Sequence, residues 1–194
     1  NCVAHNGSLI PIPGREVMVQ GWYQGGVSIF DWTDAARPYE LAFFDRGPAP
    51  RGGGVWSVYW YNGYMYSSEM QRGLDVLELT PSEYISQNEI DAAKTVVFQE
   101  FNAQDQQKFV WPASFVLAHA YVDQLERTGG LSASRISSTR AVLRRANGMQ
   151  SAERERTLTQ LRTDLLNEAA QSSDERKVRM LANVARDLIP TSIR

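Results

Sequence analysis

The chain is poor in the residues that build most catalytic and metal centres. Its 194 residues include one cysteine, Cys2, and two histidines, His5 and His119. A single cysteine excludes an internal disulfide, though it assigns no compartment, because sheet proteins with a large core need no such staple. The two histidines lie in different halves of the chain, and a transition-metal site needs more nitrogen or sulfur ligands than that. No metal and no cofactor are therefore expected. No run approaches the roughly 18 apolar residues of a membrane-crossing helix. There is no G-x-S-x-G, no H-E-x-x-H and no phosphate-cradling glycine loop. Gly52-Gly53-Gly54 lacks a following Lys-Ser/Thr and reads as a plain loop. No secretory leader pattern is present. Position 1 is Asn and the sequence opens in a strand-like run, so the chain is expected to be the C-terminal part of something longer.

The scarcities are uneven along the chain. Eleven of the 14 glycines and 13 of the 20 aromatic residues precede residue 80, and no aromatic follows Tyr121. Glycine and aromatics suit strands and tight turns. The later part is rich in Ala, Leu, Arg, Glu and Gln, which favour helix. Residues 1–121 carry 7 Lys+Arg against 13 Asp+Glu, and residues 122–194 carry 13 against 9. The basic tail mixes both signs along helices, so it reads as a solvated face, and no nucleic-acid partner is expected.

What is present is a phrase written twice. EVMVQGWYQGGVSIFDWT occupies residues 16–33 and GYMYSSEMQRGLDVLELT occupies residues 63–80. At an offset of 47 residues, Met18 matches Met65, Gln24 matches Gln71, Gly26 matches Gly73 and Thr33 matches Thr80. A period of about 40–50 residues built of strand, turn and strand is a β-propeller signature. Strands are predicted at Val17–Trp22, Val27–Trp32, Tyr39–Phe44, Val55–Tyr61, Tyr64–Ser68 and Leu74–Leu79, with Cys2–His5 as the innermost strand of the first blade. Asn62-Gly63 is a strong hairpin signal. The strands do not alternate cleanly, which suggests sheets buried on both faces. Two blades alone leave apolar faces bare, so partner blades are expected from elsewhere.

The pattern changes at Thr80-Pro81. Ser86 and Glu89 fit an S-x-x-E capping box opening a short helix to about Val96. Residues 98–111 read as an extended connector. Pro112 is expected in the first turn of a long helix ended by Gly129-Gly130. Ser132, Ser151 and Asp174 open three more helices, the last stopped by Pro190. The expected fold is β then α: a partial β-propeller of about two antiparallel blades over residues 1–80, a connector over 81–111, and a small antiparallel α-helical bundle over 112–194.

The strand Val27-Ser28-Ile29-Phe30-Asp31 and its turn resemble the LVIVD-repeat family of bacterial propellers. The residues that carry the resemblance are Val27, Ile29, Asp31, Thr33, Asp34, Pro38, Glu40 and Leu41. The second copy keeps Leu74, Val76 and Thr80, with Glu78 in place of Asp. The resemblance covers about 80 residues and implies secreted or periplasmic blades. The family shares no activity, so the fold does not deliver the function.

Asp31, Asp34 and Asp45 lack the spacing of a calcium loop and are read as caps of their own turns. Cys2 is read as a plain strand cysteine and His119 as a packed or boundary histidine. Tyr59, Tyr61, Tyr64 and Tyr66 could stack on a ligand, but core packing is expected. Arg140, Arg144 and Arg145 form the densest basic patch, with a chemistry suited to a protein partner or a lipid headgroup. Peripheral membrane association stays open on that account. The large side chains suited to anchor a protein partner are Trp22, Trp56, Trp60, Tyr61 and Trp111. The expectation is a non-catalytic binding or scaffolding protein, periplasmic or extracellular, partnered by other blades or a larger membrane-associated complex. The alternative is the C-terminal part of a propeller enzyme, a metal-dependent oxidase or hydrolase, with its active site in upstream blades.

Overall fold

Short β-branched and aromatic runs broken by glycine turns form strands, and the Ala/Leu/Arg-rich remainder forms helices. The computed structural model describes residues 2–48, 51–105 and 107–189. In the first sheet, β1 (Gly7–Ile10), β2 (Val17–Gly21), β3 (Val27–Asp31) and β4 (Tyr39–Phe44) follow in that order, all antiparallel. In the second, β5 (Val55–Tyr61), β6 (Tyr64–Glu69) and β7 (Gly73–Leu77) do the same. The helices are α1 (Gln87–Lys94), α2 (Phe115–Arg127), α3 (Ala133–Asn147), α4 (Ser151–Ala169) and α5 (Glu175–Asp187). The fold is thus mixed, with two antiparallel sheets followed by helices. The chain divides into two units, Asn1–Ile85 with Ala93–Val110, and Ser86–Ala92 with Trp111–Arg194.

In the sheet unit, the first strand is Gly7–Ile10 and not Cys2–His5. Its ladder runs from Gly7 opposite Gln20 to Ile10 opposite Val17. Pro11 follows and has no N–H to continue it. The β5–β6 hairpin needs left-handed backbone: Asn62 and Gly63 have φ of 47° and 98°, the pair that a two-residue turn of primed type requires.

The sequence repeat is reproduced as register. Met18 pairs with Phe30 and Gln20 with Ser28; 47 residues on, Met65 pairs with Leu77 and Ser67 with Asp75. The first strands correspond as well, since Ser8 opposes Val19 as Tyr59 opposes Tyr66, and Ile10 opposes Val17 as Tyr61 opposes Tyr64. Each face of the first sheet therefore has its counterpart in the second. On the first sheet Ser8, Ile10, Val17, Val19, Val27 and Ile29 share one face, and all are buried. That face meets the second sheet, because Ser8 Oγ accepts from Trp60 N at 2.8 Å and β1 and β2 lie against β5. The second sheet answers with the opposite kind of face, Val58, Trp60 and Met65, also buried. The expectation of sheets buried on both faces is corrected here. Each is buried on the face towards the other and open on its outer face, so burial alternates along β2, β3 and β6.

In the helical unit, α1 opens with a reciprocal capping box. Ser86 N donates to Glu89 Oε2 at 2.7 Å and Glu89 N to Ser86 Oγ at 3.2 Å. The Glu89 carboxylate is fully buried and takes the Arg127 guanidinium, with Nη1 at 2.9 Å. α2 starts later than Pro112 suggests. Its cap is Ser114, whose hydroxyl accepts from Leu117 N at 3.1 Å. Ser132 and Asp174 cap α3 and α5, whereas Gln150, without a side-chain bond, precedes α4 in place of Ser151. Pro190 lies outside the described residues. Each helix from α2 to α5 packs on the next, and α5 returns to α2. Leu125, Ile136, Leu143, Leu158, Leu165, Val178 and Leu181 fill the centre.

Candidate functional site

The site candidate is the outward face of the second sheet. Strand pairing puts Tyr59, Tyr66 and Val76 in one row, Ser57, Ser68 and Leu74 in the next, and Tyr61 beside Tyr64. Their repeat partners in the first sheet are buried, and these are not. Val27 is 1% exposed where Leu74 is 66%, and Ile29 is 4% exposed where Val76 is 55%. Contiguous exposed apolar side chains of this kind mark interaction surfaces.

One end of the face is roofed by residues 98–104. Tyr61 donates its hydroxyl to the carbonyls of Phe98 at 3.1 Å and Gln99 at 3.2 Å. The Asn62 amide brackets Phe98, donating to its carbonyl at 3.0 Å and accepting from its N–H at 2.9 Å. Phe101 stacks against Tyr61 and Phe98, with ring centroids 6.3 and 5.6 Å away. Beneath this segment runs an open groove of about 830 Å³ lined by Tyr59, Tyr61, Tyr66, Phe101, Gln99, Glu100 and Gln104. Rings with amide and phenol groups between them can grip an amphipathic partner by stacking and hydrogen bonding.

The anchors named from sequence divide among different environments. Trp60 is a core residue, 3% exposed, and is corrected as a surface anchor; alternation sends it to the inner face while Tyr59 and Tyr61 point out. Trp56 sits where the β5–β6 register shifts and is 47% exposed. It closes a cluster with His5 and Tyr23, at ring distances of 4.5 and 6.0 Å, and its carbonyl accepts from His5 Nδ1. Trp22 is half-buried, and Trp111 packs against the helical core. Arg140 is not a free cation: Nη2 donates to Asp123 at 2.6 Å and Nη1 to Glu126 at 2.9 Å. Glu126 first, then burial working against it and Asp123 working with it, holds the Arg140 guanidinium above its usual range. Arg144 and Arg145 are exposed and have no ion pair among the described residues. The structure thus leaves Tyr61 with Tyr59, Tyr64, Tyr66, Leu74 and Val76 as one surface. Leu74 and Val76 were the residues that sequence reading missed, since their pattern matches that of the buried Val27 and Ile29. Tyr64 and Tyr66, read from sequence as core, are 44% and 37% exposed.

Asp31, Asp34 and Asp45 each cap a turn, accepting from Thr33 N at 2.7 Å, Ala36 N at 3.1 Å and Gly47 N at 2.9 Å. Among the described residues, no three His, Cys, Asp or Glu side chains come together as metal ligands. Among the described residues, no helix is long and apolar enough to cross a membrane.

His119, on α2, is half-buried. Burial pushes its imidazole below the ordinary value of 6.5; Asp123 opposes this, while Arg140 and Arg144 add to it. The unfolded chain then binds the proton more readily than the folded one, so stability falls as pH drops from above 6.5 through the folded value. The helical unit is expected to melt lower at about pH 5 than at about pH 7.5, and His119→Gln to flatten that slope. Thermal melts of both chains across this range check it.

Comparison with protein-family models, curated proteins and solved structures finds no match to the chain.

Proposed function

We propose that the chain is a non-catalytic binding or scaffolding protein built on two blades of an LVIVD-type propeller and working outside the cytoplasm. The observation that carries the reading is the unequal fate of the repeat. Two sheets of one register are stacked in one direction, and positions buried in the first stand bare in the second. A stack that can be continued is the arrangement a propeller needs, and a bare apolar face is what a platform offers a partner. The extracytoplasmic placement rests on the family resemblance alone. The partners this reading favours are further sheets or a larger assembly, with the helical unit as a second docking element.

The test is the binding of an apolar fluorescent dye to the full chain. The native chain is expected to raise dye emission, and Leu74→Glu with Val76→Glu to abolish most of that rise while the circular dichroism stays unchanged. Equal emission from the two chains, or substrate turnover that survives the double substitution, counts against a platform at this face.

A further inference from the structure

We propose that the outward face of the second sheet seats the outward face of the first sheet of another copy of this chain, so that copies stack head to tail. The inference rests on the platform reading above and names its partner.

The template is inside the chain. The first sheet lays its face of Ser8, Ile10, Val17 and Val19 on the opposite kind of face, Val58, Trp60 and Met65, of the second. Among the described residues, one face of each kind is left over. The second sheet keeps Tyr64, Tyr66, Leu74 and Val76. The first keeps Gly7, Leu9, Met18, Phe30 and Phe43, with Leu9 37% and Phe43 74% exposed. A second copy supplies the missing member of each pair in the orientation the chain already uses.

Side-chain size favours this occupant over an arbitrary sheet. In the internal contact the small face is Ser8, Val17 and Val19, and the large one carries Val58 and Trp60. In the outer pair the sizes are exchanged at the first strand of the incoming face: tyrosines stand where the repeat has Ser8, Val17 and Val19, and Gly7 and Leu9 stand where it has Val58 and Trp60, while Met18 matches Met65 and Phe30 stands where it has Leu77. Large residues facing small ones conserve the volume between layers, which is the condition for dense packing. The phenols also need partners if covered. Gln20 and Ser28 lie on the incoming face, and each keeps an acceptor oxygen after donating to His5 O and to Glu40 Oε1. Residues 98–104 already cover Tyr61, so the seat is centred on Tyr64, Tyr66, Leu74 and Val76.

Such a contact is heterologous. Each copy uses two different patches, so association continues beyond a dimer unless the ring closes. A sheet face of three or four strands spans only roughly 15 by 17 Å. That is small beside the roughly 800 Å² per partner of tight complexes, so assembly is expected in the micromolar range.

Sedimentation velocity of the full chain from about 1 to 300 µM tests this. The native chain is expected to gain mass with concentration. Leu74→Glu with Val76→Glu removes the seat, and Phe43→Glu removes the incoming face. Each variant alone is expected to associate at least about 30-fold more weakly. Mixed together, they are expected to form a one-to-one pair, because each keeps the face that the other has lost. Leu74→Ser with Val76→Thr repeats the test if the glutamates disturb the sheet. A native chain that stays monomeric throughout overturns the proposal, as does a Phe43→Glu variant that dimerises as well as the native chain, which would mean seat against seat. Dye binding separates the two levels of failure. A monomer whose dye signal is lost in the Leu74/Val76 variant leaves the platform standing with a different partner, and a monomer with no such signal ends both readings.

Discussion

Replacing Asp31 by Ala is expected to destabilise the sheet unit by about 3–5 kcal/mol, while Glu78→Ala, at the same place in the second copy of the repeat, is expected to cost less than about 1 kcal/mol. Asp31 ends β3, and its carboxylate does two things at once. Oδ1 accepts from Thr33 N at 2.7 Å, and Oδ2 pairs with Arg15 Nε at 2.6 Å. The two side chains are 4% and 5% exposed. Arg15 extends the network to the Tyr84 carbonyl at 2.9 Å and the Tyr39 hydroxyl at 3.0 Å. Removing the carboxylate takes from a buried guanidinium an anionic partner that water cannot replace, and that penalty exceeds the worth of the pair itself. Glu78 has a partner too, Lys94 at 2.6 Å, but the side chains are 52% and 34% exposed, and solvent screens the pair. Burial alone would raise the Asp31 pKa. The Thr33 hydroxyl and N–H, with Arg15, outweigh it and hold the group below its ordinary 3.8. A depressed carboxylate contributes stability that is complete above the unfolded value and lost as pH falls through the folded one. Acid sensitivity below about pH 4 is therefore expected to diminish in Asp31→Ala and persist in Glu78→Ala. Denaturant melts of the full chain measure both. Equal losses in the two variants would show that the repeat treats these positions alike, contrary to their burial.

Much of the backbone was legible because its signals are local. Asn62-Gly63 announced its hairpin, Tyr39–Phe44 and Val55–Tyr61 are strands at the bounds read from sequence, and Ser86 and Glu89 close the capping box that their spacing implied. The fate of each face was not legible, because it depends on what a sheet packs against. The alternation in Tyr59-Trp60-Tyr61 says that Trp60 points away from its neighbours. It does not say which side is covered. Leu74 and Val76 repeat the apolar pattern of Val27 and Ile29, so sequence alone assigns them the same burial, and only the stacking of the sheets separates them. Arg140 misled for a similar reason. Its acidic partners Asp123 and Glu126 sit on the preceding helix and come to it only through the α2–α3 packing.

The glycines of the repeat give the sharpest reading of the open edge. Gly26 and Gly73 are equivalent, and both are left-handed, with φ of 76° and 93°. Alanine at either one pays a backbone strain of about 1–2 kcal/mol. The surroundings differ. A Cβ on Gly26 would lie 2.4 Å from the Phe44 carbonyl oxygen and 3.1 Å from Asp45 Cα, whereas one on Gly73 meets nothing within 4 Å. The obstacle at Gly26 is the end of β4, where Phe44 pairs with Val27, and in the second sheet no strand follows β7 among the described residues. Gly26→Ala must displace backbone and is expected to cost more than about 3 kcal/mol. Gly73→Ala is expected to cost only the strain, about 1–2 kcal/mol. The pair thus reports whether the outer edge of β7 is covered. A Gly73→Ala loss that stays small in dilute solution and grows at concentrations where the chain assembles would place another strand against that edge. A loss as large as that of Gly26→Ala in the dilute chain would mean that the edge of β7 is already paired with a further strand, as β3 is with β4.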